Sequence, residues 1–177
     1  MKLLTIITDG FEDLETIGTI ALLRRANLEV TIAALNGPTV KGKYEIALTN
    51  LPLLKDLNIK DYDALFIPGG PQYQELKNSK LVLDTILSFA NADKTIASIC
   101  AGPTILGELG LLKNKNYTCF TSMNADFGGK YFPNYAVRDG NIITGISAAG
   151  TIDFAILIVE ALCGKVKAEE LKDNIYY

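Results

Sequence analysis

Four short, largely apolar runs recur along this chain: Leu3 to Thr8, Leu28 to Leu35, Asp63 to Ile67 and Thr95 to Ile99. Leu3 to Thr8 and Asp63 to Ile67 read as buried strands, Leu28 to Leu35 alternates and reads as a second strand, and Thr95 to Ile99 reads as the next. Three of them end in Gly- or Pro-bearing turns: Asp9-Gly10, Asn36-Gly37-Pro38 and Pro68-Gly69-Gly70. The fourth passes through Cys100 directly into small, helix-compatible residues. Between the runs the spacing turns helical. Asp13 to Ala26 predicts a helix with Leu14, Ile17 and Ala21 on its apolar face, and Arg24-Arg25 near the end where cations complement the helix dipole. Lys80 to Ala90 predicts another, capped by Ser79, with Leu83, Ile86, Leu87 and Ala90 inward. Strands alternating with helices imply an α/β fold: a mostly parallel sheet covered on both faces.

The remaining segments fill in that frame. Thr39 to Thr49 reads as a small hairpin around Lys41-Gly42-Lys43, and Leu51 to Asn58 has no clear pattern. A helix is expected from about Gly102 to Leu109, ended by Gly110. Tyr117 to Thr121 looks like a strand and Ser122 to Asn134 irregular. Ala136 to Arg138 and Asn141 to Gly145 are short strands joined by Asp139-Gly140, a good hairpin turn. Thr151 is expected to cap a long apolar helix that Gly164 ends, and Ala168 to Asp173 a last short one. With no repeat and no linker, residues 1–177 are expected to form one domain.

Composition narrows the function classes. The formal net charge is −3 and Lys and Arg are scattered, so no nucleic-acid footprint stands out. Met1 leads almost directly into the first strand, so no secretory leader is expected. Ile152 to Cys163 is too short to span a bilayer and carries Asp153 and Glu160. Three widely spaced cysteines fit a reducing compartment, and a cytoplasmic location is expected. The sequence contains no histidine. That excludes Ser-His-Asp and Cys-His catalysis within the chain, including a His-dependent peptidase, and removes His-based zinc sites. No metal is expected. Any proton shuttle must be a carboxylate, Lys, Tyr or Cys.

In parallel sheets, function gathers where the C-terminal ends of strands turn into helices. Three such turns exist here: Thr8 to Glu15, Pro68 to Gln72 and Ile99 to Pro103. In the last, Cys100 stands at a strand-to-helix corner beside unpaired helix N–H groups, which favour negative charge and so ease ionisation of a thiol. The alternative is a small buried cysteine. The first turn holds Asp9, Glu12, Asp13 and Glu15. Asp9 and Glu12 have the spacing of a capping box, and acids suit a helix start. Glu15 either belongs to that pattern or points across the strand ends toward Cys100. Gly69 and Gly70 could present N–H groups to a ligand, with that of Ala101 completing an oxyanion hole, or could serve a tight turn only. Asp126-Phe127-Gly128 lacks every other part of a kinase signature, and the first turn lacks a dinucleotide fingerprint. Gly145 to Gly150 reads as a plain capped turn in preference to a phosphate-binding helix start. Cys119 and Cys163 read as core thiols.

Three pieces in order, GFEDLET (Gly10 to Thr16), FIPGG (Phe66 to Gly70) and SICAGPTILG (Ser98 to Gly107), resemble the ThiJ/PfpI superfamily. Together with DFAILIVEALCGK (Asp153 to Lys165), they are most similar to its Parkinson-associated deglycase branch. The resemblance runs over nearly the whole chain. It implies a flavodoxin-like three-layer sandwich, usually a homodimer. It implies that Cys100 is a nucleophilic, oxidation-sensitive cysteine and that Glu15 is its partner carboxyl, with the N–H groups of Gly70 and Ala101 facing the sulfur. There are departures. Phe120, in YTCFT (Tyr117 to Thr121), stands where many relatives carry a histidine. Pro71 replaces a polar residue, and Ile146 to Gly150 lacks the family's Arg-Gly-Pro-Gly.

The function this implies is a cofactor-free deglycase or glyoxalase. Its Cys100 thiolate would attack methylglyoxal or its early protein and small-molecule adducts, with Glu15 moving protons. The rival is an oxidative-stress sensor or chaperone-like protective protein in which Cys100 is oxidised to the sulfinate without significant turnover.

Overall fold

The computed structural model describes all 177 residues, Met1 to Tyr177. Six strands form the central sheet: β1 (Lys2–Ile7), β2 (Glu29–Ala34), β3 (Ala64–Ile67), β4 (Thr95–Ile99), β5 (Ala136–Asp139) and β6 (Ile142–Gly145). Their spatial order is β2-β1-β3-β4-β6-β5. The first five of that order run parallel, and β5 closes the edge antiparallel to β6 through the turn at Gly140, φ +63°. Six helices accompany them: α1 (Thr19–Arg25), α2 (Tyr73–Leu76), α3 (Lys80–Asn91), α4 (Gly102–Glu108), α5 (Thr151–Cys163) and α6 (Lys165–Ile175).

Alternation along each strand divides the interior into two cores. Leu4, Ile6, Leu65, Ile67 and Ile96 face one side, where Val82, Ile86 and Phe89 of α3 and Ile105 and Leu106 of α4 cover them. Leu3, Ala64, Phe66, Ala97, Ile99 and Ile143 face the other, under Ile20 and Leu23 of α1, Phe154 and Ile158 of α5 and Leu171 of α6. Each large side chain taken fully out of water contributes about 1.5–3 kcal/mol before entropy is counted. The outcome is the three-layer α/β sandwich that the alternation implies. No helix is long and apolar enough to cross a membrane.

Several local expectations are corrected. The sequence spacing puts Leu14, Ile17 and Ala21 on the inward face of the first helix. Instead Glu15, Thr16, Thr19, Ile20 and Leu23 are buried, and Leu14 is 56% exposed. The cause is a π-helical turn at Leu14–Gly18, whose wider turn puts the side chains out of step with a 3.6-residue repeat. Tyr117 to Thr121 is a strand only at Asn116–Tyr117, paired with Lys130–Tyr131. Beyond it the chain bends away as Phe120 N–H bonds the Cys100 carbonyl. Thr151 is the first residue of α5, not its cap, and its hydroxyl donates to the Ala148 carbonyl. Cys163 is exposed rather than in the core, whereas Cys119 is fully buried.

Candidate active site

Cys100 follows β4 and precedes α4 with φ +63°, the left-handed region that side chains with a Cβ rarely occupy. Such a backbone costs about 1–3 kcal/mol and persists only when its surroundings over-determine it. Here both peptide groups are held. Cys100 N–H donates to the Gly145 carbonyl at 2.9 Å, and its carbonyl accepts from Phe120 N–H at 2.8 Å. The corner is thus locked between β6 and the segment after Tyr117, and its side chain opens into a cleft.

Glu15 reaches the same point from the π-helical turn after β1 and is 1% exposed. Its carboxyl lies against the Cys100 thiol and the Gly69 N–H. Its Oε2 has no partner of good hydrogen-bond geometry, so these are close approaches rather than formed bonds. Gly69 sits between the two acids: a Cβ there would meet Glu15 Oε2 and lie 2.6 Å from the Cβ of Cys100. The N–H groups of Ala101 and Gly70 face the sulfur. Glu15, Gly69, Gly70, Cys100 and Ala101, drawn from three separate strand ends, are therefore brought together.

Burial governs the electrostatics. It lifts the Glu15 carboxyl from 4.5 to about 7; Glu12 adds to the rise, while Cys100, Gly69 N–H and Lys43 pull against it. Burial also raises the Cys100 thiol strongly, and an ionised Glu15 raises it further, opposed by the N–H groups of Ala101 and Gly70. A corner beside a helix start does not on its own make this thiol an easy acid, as the sequence suggests, because desolvation outweighs the backbone donors. The two acids are coupled, charge on either disfavouring charge on the other. A thiolate is favoured only while Glu15 keeps its proton.

Asp9 and Glu12 form no capping box, but Glu12 does serve the helix start, while Asp9 and Asp13 fasten the hairpin beside the cleft. Glu12 Oε2 accepts from Glu15 N–H at 2.6 Å, and Asp9 Oδ1 from Lys41 N–H at 2.8 Å. Buried Asp13 accepts from Tyr44 and Ile46 N–H, fastening the Val40–Lys41/Ala47–Leu48 hairpin. That places Lys43 and Tyr44 on the cleft, whose volume is about 560 Å³. Pro71, Tyr73, Phe120, Met123 and Ser147 also line it. Sequence reasoning missed Lys43, Tyr44, Tyr73, Met123 and Ser147, and also Gln72, which is buried beneath the Gly69-Gly70 turn. Only the acid-rich first turn hinted at the hairpin's place. Cys163 and Cys119 lie outside this lining.

Known proteins share this arrangement of chain. Residues 1–161 match the DJ-1/PfpI family. The chain is 33% identical over 177 residues to the dj-1beta protein of Drosophila melanogaster, covering 97% of this chain and 95% of that one. The crystal structure of that fly protein superposes with a TM-score of 0.91 at 32% identity, over 99% of this chain and 97% of that one. A protein of Caenorhabditis elegans named as a glutathione-independent glyoxalase is 30% identical, over 90% of this chain and 87% of its own. Family match, near-complete coverage and fold agree: the chain belongs to the DJ-1/PfpI family, in its DJ-1 branch.

Proposed function

We propose that this chain is a cysteine-dependent enzyme of the deglycase or glyoxalase type, acting on methylglyoxal or its early protein and small-molecule adducts. The observation that carries the reading is the Cys100 sulfur at a locked left-handed corner, with the Glu15 carboxyl and two backbone N–H groups around it at the floor of a cleft. In the working state Glu15 holds the pair's proton and the sulfur its charge. The sulfur bonds to the aldehyde carbon, the carbonyl pair moves onto oxygen, and Glu15 delivers its proton there. Gly70 and Ala101 N–H groups lower the energy of the transient oxyanion. Glu15, now a carboxylate, is the base for the next step. The glyoxalase name of the nematode relative supports the substrate class. No cofactor is needed. The test is turnover of methylglyoxal and its adducts by wild type, Cys100→Ser and Glu15→Gln. Loss of turnover in Cys100→Ser is expected, and equal rates would remove the proposal.

A second reading is favoured by the same geometry. Two equivalents of peroxide convert the thiolate to a sulfinate with release of two waters, and the N–H groups and protonated Glu15 suit its two oxygens. One solved structure of a relative, Toxoplasma gondii DJ-1 at 25% identity, is of the oxidised protein. Peroxide titration with intact-mass detection tests it: two oxygens on Cys100 before any on Cys119 or Cys163 are expected. The assembly we propose is a homodimer, supported by apolar Leu14 and Ile152 standing exposed beside Ile17 and Leu22. Sedimentation at micromolar concentration checks it, with a monomer as the contrary result.

A further inference from the structure

We infer that Gln72 is a positioning residue for the Cys100–Glu15 pair, its side-chain amide fixing the two peptide planes whose N–H groups face that pair. Gln72 is 2% exposed, an uncommon fate for a glutamine, and both ends of its amide are used. Its Nε2 donates to the Pro68 carbonyl at 3.2 Å and to the Gly69 carbonyl at 3.1 Å. Its Oε1 accepts from Thr8 N–H at 2.8 Å, tying the end of β1 to the turn that follows β3.

Those two carbonyls matter because of what shares their planes. A trans peptide is planar, with its C=O and N–H pointing opposite ways. The Pro68 carbonyl belongs to the same unit as Gly69 N–H, and the Gly69 carbonyl to the same unit as Gly70 N–H. Gly69 N–H meets the Glu15 carboxyl and Gly70 N–H meets the Cys100 sulfur. Holding both oxygens from below therefore aims both N–H groups at the reacting pair. Nothing else in the turn does this for Pro68, while Gly69 O also accepts from Glu12 N–H at 3.1 Å. Gly70, at φ +91°, has the rotational freedom that makes such a clamp necessary.

The inference rests on the reading that Cys100 and Glu15 are the working pair, but on no particular substrate, so its test does not use turnover. The rate of Cys100 alkylation by iodoacetamide is measured against pH in wild type, Gln72→Met and Asn36→Ala, with melting temperatures alongside. The charges that act on the pair, Glu12 and Lys43, are unchanged in all three. Asn36 bonds Thr8 Oγ1 and Glu75 in the same polar cluster but touches neither carbonyl. Gln72→Met is expected to slow alkylation at pH 7 about three- to tenfold and to move its midpoint upward, the loss of roughly one hydrogen bond's support to the charged form. Asn36→Ala is expected to keep the wild-type midpoint. A lowered melting temperature in Gln72→Met with an unchanged midpoint would mean a merely structural role and overturn the inference. Should Gln72→Met not fold, wild-type NMR decides: the Gln72 side-chain amide must titrate with the Cys100 midpoint, and a flat response sinks the idea. Wild-type Cys100 that labels no faster than a free thiol at any pH would instead remove the reading beneath it.

Discussion

Cys100 and Cys119 are neighbours with opposite prospects. One hydrogen bond, from Phe120 N–H to the Cys100 carbonyl, brings their backbones side by side. Cys119 points into the core on the α3 and α4 side, fully buried, and desolvation alone pushes its thiol up to about 11. Cys100 suffers the same desolvation and has an acid against it as well. Burial therefore cannot be what separates Cys119 from the thiol proposed to react. What Cys119 lacks is an opening to the cleft, two N–H groups aimed at sulfur, and a carboxyl able to carry the proton that sulfur gives up.

The most damaging way to break that contrast is Gly70→Ala. A Cβ there would sit against the backbone of Gly10 and Glu12, neither of which can swing aside, in a conformation at φ +91° that alanine resists. A loss of about 3–4 kcal/mol is expected, or roughly 10 °C in melting temperature, with alkylation of Cys100 falling toward the Cys119 rate. Thermal melts check the first part and mass-resolved labelling the second. A variant that melts like wild type would show that the turn is not tightly fitted to the first loop.

Glu15→Gln removes the proposed proton carrier with less disturbance. A carboxyl raised from 4.5 to about 7 by burial binds its proton more tightly in the folded chain than in the unfolded one. The stabilisation this gives is full below about pH 4.5 and disappears as pH rises through about 7, a change of about 3 kcal/mol. Urea denaturation at pH 5 and pH 8 should show wild type losing most of that amount and Glu15→Gln losing little of it. Parallel pH dependence in the two proteins would count against a buried, shared proton. Cys119→Ala is milder: about 1 kcal/mol for a small core deletion, with the alkylation profile of Cys100 unmoved. A shifted Cys100 profile would mean that the two thiols are coupled.

The sheet, its two covered faces and the three strand-end turns were legible because apolar runs and turn residues report local structure faithfully. Cys100 was legible for the same reason, since a strand meeting a helix with no linker leaves one residue at the corner. The orientation of Glu15 was not. It depends on a π-helical turn that breaks the 3.6-residue repeat on which any helical-face argument rests, and only the family resemblance pointed to it. Lys43, Tyr44 and Gln72 were hidden for another reason. Their roles come from long-range bonds such as Asp13 to Tyr44 N–H and Gln72 to Thr8 N–H, across 31 and 64 residues of chain, that no local pattern encodes. The strong rise of the Cys100 thiol was missed because position at a helix start is visible in sequence and depth of burial is not.

The smallest test concerns Lys43, whose charge reaches one of the two thiol neighbourhoods only. The hairpin holds it at the cleft through its own N–H to the Phe11 carbonyl, 2.8 Å, with its ammonium 5.2 Å from the centre of the Tyr44 ring. From there it lowers the Glu15 carboxyl, the weakest of the influences on that group. Lys43→Met keeps the length of the side chain and deletes the charge. The alkylation midpoint of the pair should rise by less than about half a pH unit at low ionic strength. Because the ammonium is exposed, salt already screens it in wild type, so the difference between the two proteins should vanish near 0.5 M, where the Debye length is only about 4 Å. Cys119, away from the cleft, should label identically in both. A fall in midpoint, or a difference that survives high salt, would mean that Lys43 supports the loop mechanically and that the field at Cys100 is set by Glu15 and the backbone alone.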